Sequence, residues 1–198
     1  MSRWEPNARG RLEQAALELY RERGFDDTTV AEIAARAGLT ERTFFRHFAD
    51  KREVLFSGAG ALQDLLVSKV DDAPESLSPI EAIVAALVEA ADGMFEERRP
   101  FARGRQAVIA ANRELEEREL VKFAALSAAL AGALRRRGVT GPAASLAADA
   151  GIAVFRVAFD RWTEDTGEDT LAYFIRASLG DLQAVATQRG SAPVTGRR

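Results

Sequence analysis

The chain has 198 residues, of which 47% are apolar and 29% charged, with a net charge of −3. This composition can build a packed core, and the length suits one large domain or a small domain joined to a larger one. The absence of cysteine excludes disulfides and cysteine-based zinc sites. No basic segment followed by an apolar run opens the chain, and no apolar stretch nears the ~20 residues that span a bilayer, so we expect a cytoplasmic protein without a membrane partner.

Apolar residues recur with a helical period through nearly the whole chain, and strand-like alternation is absent. The predicted fold is all-α, with about nine helices. A three-helix helix-turn-helix domain is expected over residues 1–55 and a larger helical domain over residues 56–188. The segment 189–198 is rich in Gly, Ser, Pro and Arg and is expected to be a disordered tail.

The first predicted helix carries an apolar stripe and ends at Gly24. The stripe comprises Leu12, Ala15, Ala16, Leu19 and Tyr20. Thr29 and Glu32 then have the spacing of a capping box, which begins a second, short helix. Gly38 follows where a positive φ is needed, and this indicates a tight turn before the next helix.

Thr40 is the expected N-cap of the third helix, with Leu39 and Phe44 at the hydrophobic-staple positions around it. Asp50 and Glu53 have capping-box spacing too, and they are predicted to open one long helix that runs to about Val70 out of the small domain. The polar segment after it is a linker. Five further helices are predicted at about 78–99, 101–111, 113–137, 142–164 and 169–188.

The window from Arg36 to Arg52 holds five positive residues against two negative ones, so it is basic within an acidic protein. The N-terminal half of the second helix of a helix-turn-helix enters the major groove. There Arg42 can bond guanine, Thr43 can contact a thymine methyl, and Glu41 can accept from cytosine or brace Arg42. The residues expected to contact DNA bases or phosphates are Thr28, Thr29, Arg36, Thr40, Glu41, Arg42, Thr43, Phe44, Arg46, His47 and Lys51.

Each of these residues also has an ordinary structural explanation. Capping alone accounts for Thr29 and Thr40, a solvated face accounts for the arginines, and Phe45 and Phe48 are expected in the core. The combination within one short window nevertheless favours DNA binding. A metal site is not expected, since His47 is the only histidine, and no cofactor is indicated.

The ordered set of residues resembles the DNA-binding domain of the TetR/AcrR family of bacterial transcription regulators. It is carried by Ala15-Ala16-Leu17-Glu18-Leu19, Gly24-Phe25, Thr28-Thr29-Val30, Ile33-Ala34, Ala37-Gly38, Thr43-Phe44-Phe45, His47-Phe48 and Lys51. The resemblance implies a dimer, most often a repressor, whose larger domain holds an effector pocket and alters the spacing of two reading heads. Phe44 departs from the family, which commonly has Leu or Tyr there followed by Tyr, so a hydroxyl for a phosphate is absent.

The last two long helices suit a dimer interface, because the first of them has two neighbouring apolar faces, more than a helix with one wet side needs, and the last is apolar along its length. One face is therefore expected to form a homodimer, which by its symmetry would bind a palindromic double-stranded DNA operator. The alternative is that both faces belong to the core of one chain. The expected interface residues are Ala147, Gly151, Val154, Ala158, Phe174, Ser178 and Leu182.

The segment 94–112 is rich in arginine and aromatic residues. Together with Asn112-Arg113-Glu114-Leu115 and the segment 156–162, it is similar to a TetR subgroup whose C-terminal domain is described as binding acyl-CoA-like ligands. An apolar cavity suits an acyl chain and arginines suit phosphates, although the aromatic residues alone would equally fill a core. The expected residues of a pocket for a small apolar ligand are Met94, Phe95, Phe101, Arg105, Asn112, Phe155, Phe159 and Trp162.

Other functions are weighed by the same residues. No His–carboxylate cluster, Gly-rich phosphate loop or Ser/His pair indicates an enzyme. The carboxylates between Glu114 and Glu119 are typical of a solvated helix face. An architectural DNA-binding dimer without an effector would share the fold and stays open, whereas an acidic helical adaptor would leave the basic window unexplained.

Overall fold

The computed structural model describes residues 7–187, which fold into nine α-helices without a β-strand among them. The helices are α1 (Ala8–Arg23), α2 (Val30–Arg36), α3 (Glu41–His47), α4 (Ala59–Asp71), α5 (Pro79–Met94), α6 (Arg99–Ala110), α7 (Arg113–Arg136), α8 (Gly141–Glu164) and α9 (Leu171–Thr187). Short 3₁₀ turns at Glu53–Phe56 and Glu96–Arg98 precede α4 and α6. The all-α prediction is confirmed. The expected tail, 189–198, lies outside the described residues.

Capping boxes open α2 and α5, and the first of them is the one predicted at Thr29 and Glu32. At the start of α2, the backbone N–H of Thr29 donates to Glu32 Oε2 (2.9 Å) and the N–H of Glu32 donates to Thr29 Oγ1 (3.3 Å). Ser78 and Glu81 begin α5 in the same reciprocal way. Gly38 adopts φ 65°, the left-handed turn that the sequence requires between α2 and α3.

The segment between α3 and α4, residues 48–58, joins the small helical region to the larger one, and we call it the connector. It differs from the single helix that the sequence predicts. Asp50 accepts from the backbone N–H groups of Arg52 and Glu53 (2.8 and 3.0 Å), which forms a local turn. The Glu53 carboxylate does not return to the backbone of Asp50. It binds Arg118 of α7 instead. The 3₁₀ turn that follows ends before Gly58, where helix continuation is costly, and α4 starts afresh.

Two hydrophobic cores lie on either side of this connector. The smaller one packs α1–α3 and the first 3₁₀ turn around Leu12 and Phe44, and three residues of the larger region complete it: Val108, Ile109 and Leu115. The larger core joins α4, α5 and α7–α9 around Leu66 and Trp162, with a contribution from α6. The expected boundary after residue 55 therefore cuts through a shared core.

Helix α6 links the far end of the larger region to α1. The Arg99 guanidinium donates to the carbonyl oxygen of Trp162 (2.8 Å) and to the Asp165 carboxylate (2.9 Å), and so caps the C-terminus of α8. Farther along α6, Gly104 is buried against Leu17 of α1, whose Cδ2 would lie 3.3 Å from an added Cβ. A displacement of α6 would therefore reach α1 directly.

One helix, α8, is long and apolar enough by length and composition to cross a membrane, a property that the sequence analysis did not expect. A little under half of that stretch is buried inside the chain. Ala148, Ala158 and Trp162 are among its fully buried residues. This is the composition that a central core helix needs.

Candidate nucleic-acid interface and internal cavity

Helix α3 is held in place by its cap and by one aromatic side chain. Thr40 accepts from the backbone N–H of Thr43 (3.2 Å), and their hydroxyls are 3.0 Å apart. Phe44 is fully buried and Phe48 nearly so. Their ring centroids lie 5.4 Å apart. This packing turns the opposite face of α3 to the outside.

The outer face of α3 presents Glu41, Arg42, Phe45 and Arg46, all exposed. Within residues 7–187, no carboxylate pairs with Arg42 or Arg46. Two uncommitted guanidinium groups on an exposed helix suit phosphate oxygens and guanine edges. The structure thus brings these predicted residues onto one surface, together with the cap residues Thr40 and Thr43.

The two adjacent phenylalanines have exchanged their expected roles. Phe44 was expected to contact DNA, and it is 0% exposed. Phe45 was expected in the core, and it is 55% exposed. Phe44 points inward because the staple position faces Leu39, and successive residues of a helix differ by about 100° in direction. The expectation for Phe44 is therefore wrong, and Phe45 occupies the outer face.

Lys51 was expected to contact a phosphate, but its ammonium group is committed inside the chain. Nζ donates to the carbonyl oxygens of Phe25 (2.8 Å), Asp26 (3.1 Å) and Thr28 (3.0 Å). It also lies 4.4 Å from the centroid of the Phe25 ring. An ammonium has three donors, so none is left for DNA in this arrangement. Lys51 closes the loop between α1 and α2.

The hydroxyl of Thr28 is likewise unavailable, since Thr28 is 1% exposed and donates to the Gly24 carbonyl oxygen at 2.8 Å. The expected side-chain contact of Thr28 is therefore wrong. Thr29 is exposed, but its hydroxyl donates to Glu32 at 2.8 Å within the capping box. The threonine pair serves the start of α2 first, and a DNA contact by Thr29 stays a prediction.

Arg36 is held by α1 instead of being free for a phosphate. It donates to both carboxylate oxygens of Glu22 (3.0 and 2.8 Å) and lies 3.5 Å from Glu18. These bonds lower the pKa of the Glu22 carboxyl. His47 is half-buried, and its Nε2 has no partner among the described residues. DNA contacts by Arg36 and His47 stay predictions.

A cavity of about 380 Å³ lies where α4, α5, α6, α7 and α8 meet the connector. Its inner wall is aromatic, with Phe95, Phe123, Phe155 and Phe159 packed edge to face at centroid distances of 5.8 to 6.3 Å. The connector residues from Leu55 to Gly58 and the first two residues of α4, Ala59 and Gly60, form another wall. The volume falls within the range of small-molecule sites.

Six of the eight predicted pocket residues line this cavity, namely Met94, Phe95, Phe101, Arg105, Phe155 and Phe159. Asn112 does not, because its amide donates to the Val108 carbonyl oxygen (2.6 Å) at the junction of α6 and α7. Trp162 does not either. It is fully buried in the larger core, with Arg99 5.5 Å from its ring centroid. The pocket expectations for Asn112 and Trp162 are wrong.

Most of the polar wall of the cavity was not predicted from the sequence. The missed polar residues include Gln63, Arg98, Gln106, Glu119, Lys122, Arg156 and Asp160. The acidic stretch of α7 had been interpreted as a solvated face, yet Glu119 and Arg105 pair at 3.0 Å with less than a fifth of either side chain exposed. Spacing would have found part of this wall, since Arg105 lies one turn after Phe101 on α6 and Arg98 lies three residues before it, at the end of the 3₁₀ turn.

Burial shapes the charges of this wall. It lowers the pKa of the Arg105 guanidinium, an effect that Glu119 opposes. Burial also raises the pKa of the Asp160 carboxyl, with Arg156 acting in the opposite direction. Gln106 donates to Asp160 at 3.2 Å. The cavity therefore combines an aromatic interior with a charged rim.

Five of the seven residues predicted at the dimer interface are buried inside the single chain, so their assignment is wrong, whereas Ala147 and Leu182 are half-buried and their assignment stays a prediction. Gly151, Val154, Ala158, Phe174 and Ser178 are all buried, and Ala147 and Leu182 pack against the same core. A Cβ on Gly151 would lie 2.5 Å from Ile83 Cγ2. Both faces of α8 are rich in apolar and small residues, which is why the sequence pattern did not distinguish them.

The outward face of the last two helices is a different set of residues. On α8 it carries Leu146 (71% exposed) and Val157 (51%), with Ala153 exposed between them. On α9 it carries Tyr173 (51%), whereas Val185 (69%) is exposed about 120° farther round the helix. We call this set the outer α8–α9 face. It is apolar in a position that the core of one chain does not cover.

Two family models match the chain. The model for bacterial regulatory proteins of the tetR family matches residues 13–57, which contain α2, α3 and most of α1. The model for the MftR C-terminal domain matches residues 77–187, more than half of the chain. The first match covers the exposed α3 surface, and the second covers most of the cavity.

Curated relatives are transcription regulators. The chain is 36% identical over 78 residues to the HTH-type regulator TcmR of Streptomyces glaucescens, covering 39% of this chain and 34% of TcmR. It is 28% identical over 127 residues to the putative mycofactocin biosynthesis regulator MftR of Mycobacterium tuberculosis, covering 64% of this chain and 63% of MftR. The matches thus span between a third and just under two thirds of these relatives.

Solved structures share the fold over nearly the whole chain. FadR of Thermus thermophilus, a TetR family repressor in complex with lauroyl-CoA, is 25% identical with a TM-score of 0.51, covering 96% of this chain and 100% of FadR. SmeT of Stenotrophomonas maltophilia, in complex with triclosan, is 21% identical with a TM-score of 0.61, covering 96% and 97%. Both the fold and the matched residues lead to one conclusion: the chain belongs to the TetR family of bacterial regulatory proteins, with a C-terminal domain of the MftR type.

Proposed function

We propose that the protein is a cytoplasmic, homodimeric repressor that binds a palindromic operator through α3 and leaves it when a small apolar, acyl-CoA-like ligand enters the cavity. The observation that carries the proposal is the outer face of α3. Arg42 and Arg46 are exposed there without a carboxylate partner among residues 7–187, while Phe44 anchors the helix from behind.

The dimer is supported by the outer α8–α9 face. Leu146, Val157 and Tyr173 are each more than half exposed, and together they make an apolar surface of the kind that a second copy covers. A two-fold dimer places the same patch on both partners and gives two copies of α3. Two recognition helices one DNA turn apart, about 34–36 Å, read the two halves of a palindrome.

The ligand is supported by the shape and chemistry of the cavity. Four phenylalanines suit an acyl chain, and cationic side chains at the rim suit the phosphates of coenzyme A. The solved complex of FadR with lauroyl-CoA, at 25% identity, names the same ligand class for a relative. A cavity of about 380 Å³ is also difficult to reconcile with an architectural dimer that has no effector.

The coupling is supported by the place of the cavity in the chain. Its wall includes the connector residues Leu55 to Gly58, which join the α3 region to α4, and the first two residues of α4. A ligand shifts the equilibrium only if it binds one arrangement of the connector better than another. A ligand in contact with the connector has this opportunity.

The test is selection of bound DNA from a random pool, followed by binding measurements on the selected sequence with and without lauroyl-CoA. We expect an enriched palindrome and a weaker affinity when lauroyl-CoA is present. Arg42→Ala should reduce specific binding by ~1–3 kcal/mol, whereas Arg113→Ala, on the exposed start of α7, is the matched control that should change nothing.

Failure to enrich any sequence would overturn the proposed DNA binding. Equal losses on specific and random DNA would reassign Arg42 from base recognition to a phosphate contact. An enriched palindrome whose binding no acyl-CoA alters would favour the architectural dimer.

A further inference from the structure

Cations of the cavity wall are bound to the DNA-reading part of the chain. This part, which we call the reading domain, comprises α1–α3 and the 3₁₀ turn after them, residues 8–56. Arg98 lines the cavity, and its guanidinium lies 2.9 Å from Glu13 Oε2 on α1. Only 9% of the Glu13 side chain is exposed, and the same carboxylate accepts from the Ser57 hydroxyl at 2.6 Å. Glu13 also lies 3.4 Å from Arg9 of α1, so a cation that faces the cavity supplies one of the two ion pairs of this carboxylate.

Two further cations of the wall repeat this pattern. Lys122 lies 3.4 Å from Glu53 in the 3₁₀ turn that follows α3. Arg105 donates through Nε to the carbonyl oxygen of Leu55 at 2.6 Å. Three of the four cations that line the cavity therefore hold Glu13, Glu53 or Leu55. The fourth, Arg156, lies 5.6 Å over the Phe123 ring.

An anion inside the cavity would compete for these same donors. Partly buried charges interact more strongly than solvated ones, because the effective dielectric constant is lower than that of water. An uncharged ligand of the same shape could fill the aromatic interior, but it would leave the ion pairs to Glu13 and Glu53 intact. The charge of a ligand, separately from its size, therefore decides whether the ion pairs of Arg98 and Lys122 persist, while Arg118 and the shared core continue to hold the two regions together.

We propose that the cavity takes an amphipathic organic anion, whose charged end draws Arg98 and Lys122 away from Glu13 and Glu53 and so weakens two of the ion pairs between the reading domain and the larger region. This inference rests on the proposed function and specifies the ligand class and the residues that sense it. Carboxylates and phosphates share the required chemistry, so a fatty acid and an acyl-CoA are two possible sources of the anion.

The experiment uses the full chain, the selected operator, and three probes: dodecanoate, lauroyl-CoA and dodecanol. Dodecanol is the uncharged counterpart of dodecanoate. Calorimetry measures probe binding, and fluorescence anisotropy measures operator affinity. We expect both anions to weaken operator binding by a factor within about 5 to 150, the usual range of allosteric coupling, and dodecanol to leave it unchanged.

Two variants test the ion pair with opposite signs. Glu13→Gln keeps an acceptor for Ser57 but releases Arg98, so it should bind dodecanoate more tightly and the operator more weakly. Arg98→Met keeps an unbranched side chain beside Phe101 but removes the guanidinium group, which lies 4.6 Å from the ring centroid, so it should bind dodecanoate more weakly and respond less to it. Glu117→Gln breaks an exposed pair outside the cavity and is the matched control.

The outcomes separate this inference from the proposed function. Operator binding without any probe tests the regulator itself. Release by dodecanol as strong as that by dodecanoate would overturn the anion requirement and leave a ligand-responsive regulator standing. Failure of both anions to bind would overturn the ligand class. A difference between dodecanoate and lauroyl-CoA would identify which anion the cavity accommodates, and parallel changes in both variants would reject the ion pair as the sensor.

Discussion

Phe44 and Phe45 are neighbours in sequence with ring planes 82° apart and centroids separated by 5.4 Å, yet one lies in the core and the other on the surface. The buried ring fixes α3 against the smaller core, which it shares with α1 and α2. The exposed ring stands beside Arg42 on the face proposed to meet DNA. Phe44 therefore contributes to the stability of α3, and Phe45 contributes to the surface proposed to recognise DNA.

We therefore expect opposite consequences from two adjacent substitutions. Phe44→Ala should lower the free energy of unfolding by ~3–5 kcal/mol, because it removes a fully buried aromatic ring. Phe45→Ala should change it by less than ~0.5 kcal/mol and should instead weaken operator binding. Urea unfolding and anisotropy measure the two effects. A stability loss at Phe45 equal to that at Phe44 would contradict this assignment.

Lys51 and Arg46 should differ in the salt dependence of DNA binding. Arg46→Met should flatten the slope of log affinity against log salt by ~0.9, the contribution of one phosphate contact. Lys51→Met should leave that slope unchanged and destabilise the fold, since three carbonyl oxygens lose their donor. A flattened slope for Lys51→Met with unchanged stability would return Lys51 to the phosphate contacts.

The outer α8–α9 face can be tested through the oligomeric state. Val157→Glu should raise the dimer dissociation constant at least ~100-fold, because an unpaired charge in an interface costs several kcal/mol. Val121→Glu places the same charge on an exposed valine of α7 and should leave the dimer intact. Light scattering coupled to size exclusion reports both, and a dimer unaffected by Val157→Glu would place the interface elsewhere.

Gly151→Ala adds a single methyl group, and this should be enough to lower the free energy of unfolding. A methyl group there would overlap Ile83 Cγ2 at 2.5 Å, so Gly151→Ala should cost ~1–3 kcal/mol of stability. Its neighbour Ala150 lies on the more open side of α8, and Ala150→Ser should be close to neutral. Thermal unfolding distinguishes them, and a tolerated Gly151→Ala would show that α8 can move away from α5.

The capping box of α2 should make stability depend on acid pH. The pKa of the Glu32 carboxyl is lowered from 4.5, first by the backbone N–H of Thr29 and then by its hydroxyl. Because the folded pKa lies below the unfolded one, the contribution is present above pH 4.5 and is lost as the pH falls through the folded value. Urea titrations between neutral and acid pH should show this loss, and Glu32→Gln should reduce it.

The starts of α2 and α5 and the turn between α2 and α3 followed from local rules. The boxes at Thr29–Glu32 and Ser78–Glu81 and the left-handed Gly38 are determined by a few adjacent residues, and the structure has all of them. The staple rule also predicted an inward Phe44, in conflict with its assignment to DNA. The local rule prevailed because burial of a large ring is worth more than an exposed contact.

The errors arose where the outcome depends on distant partners. Asp50 and Glu53 have capping-box spacing, but Arg118, far along the chain, binds Glu53. The donors of Lys51 find carbonyl oxygens more than twenty residues away. The face of α8 that is buried depends on where α5 lies, and no periodicity in α8 itself contains that information.

The shared core of the reading domain limits how this regulator can be taken apart. Val108, Ile109 and Leu115 belong to the larger region by position but pack with Leu12 and Phe44. A chimera that exchanged only residues 1–55 for those of another regulator would set foreign side chains against these three. A functional chimera should therefore exchange the α6–α7 junction together with the reading domain. The new operator specificity and the packing of the reading domain against the larger region would then come from the same regulator.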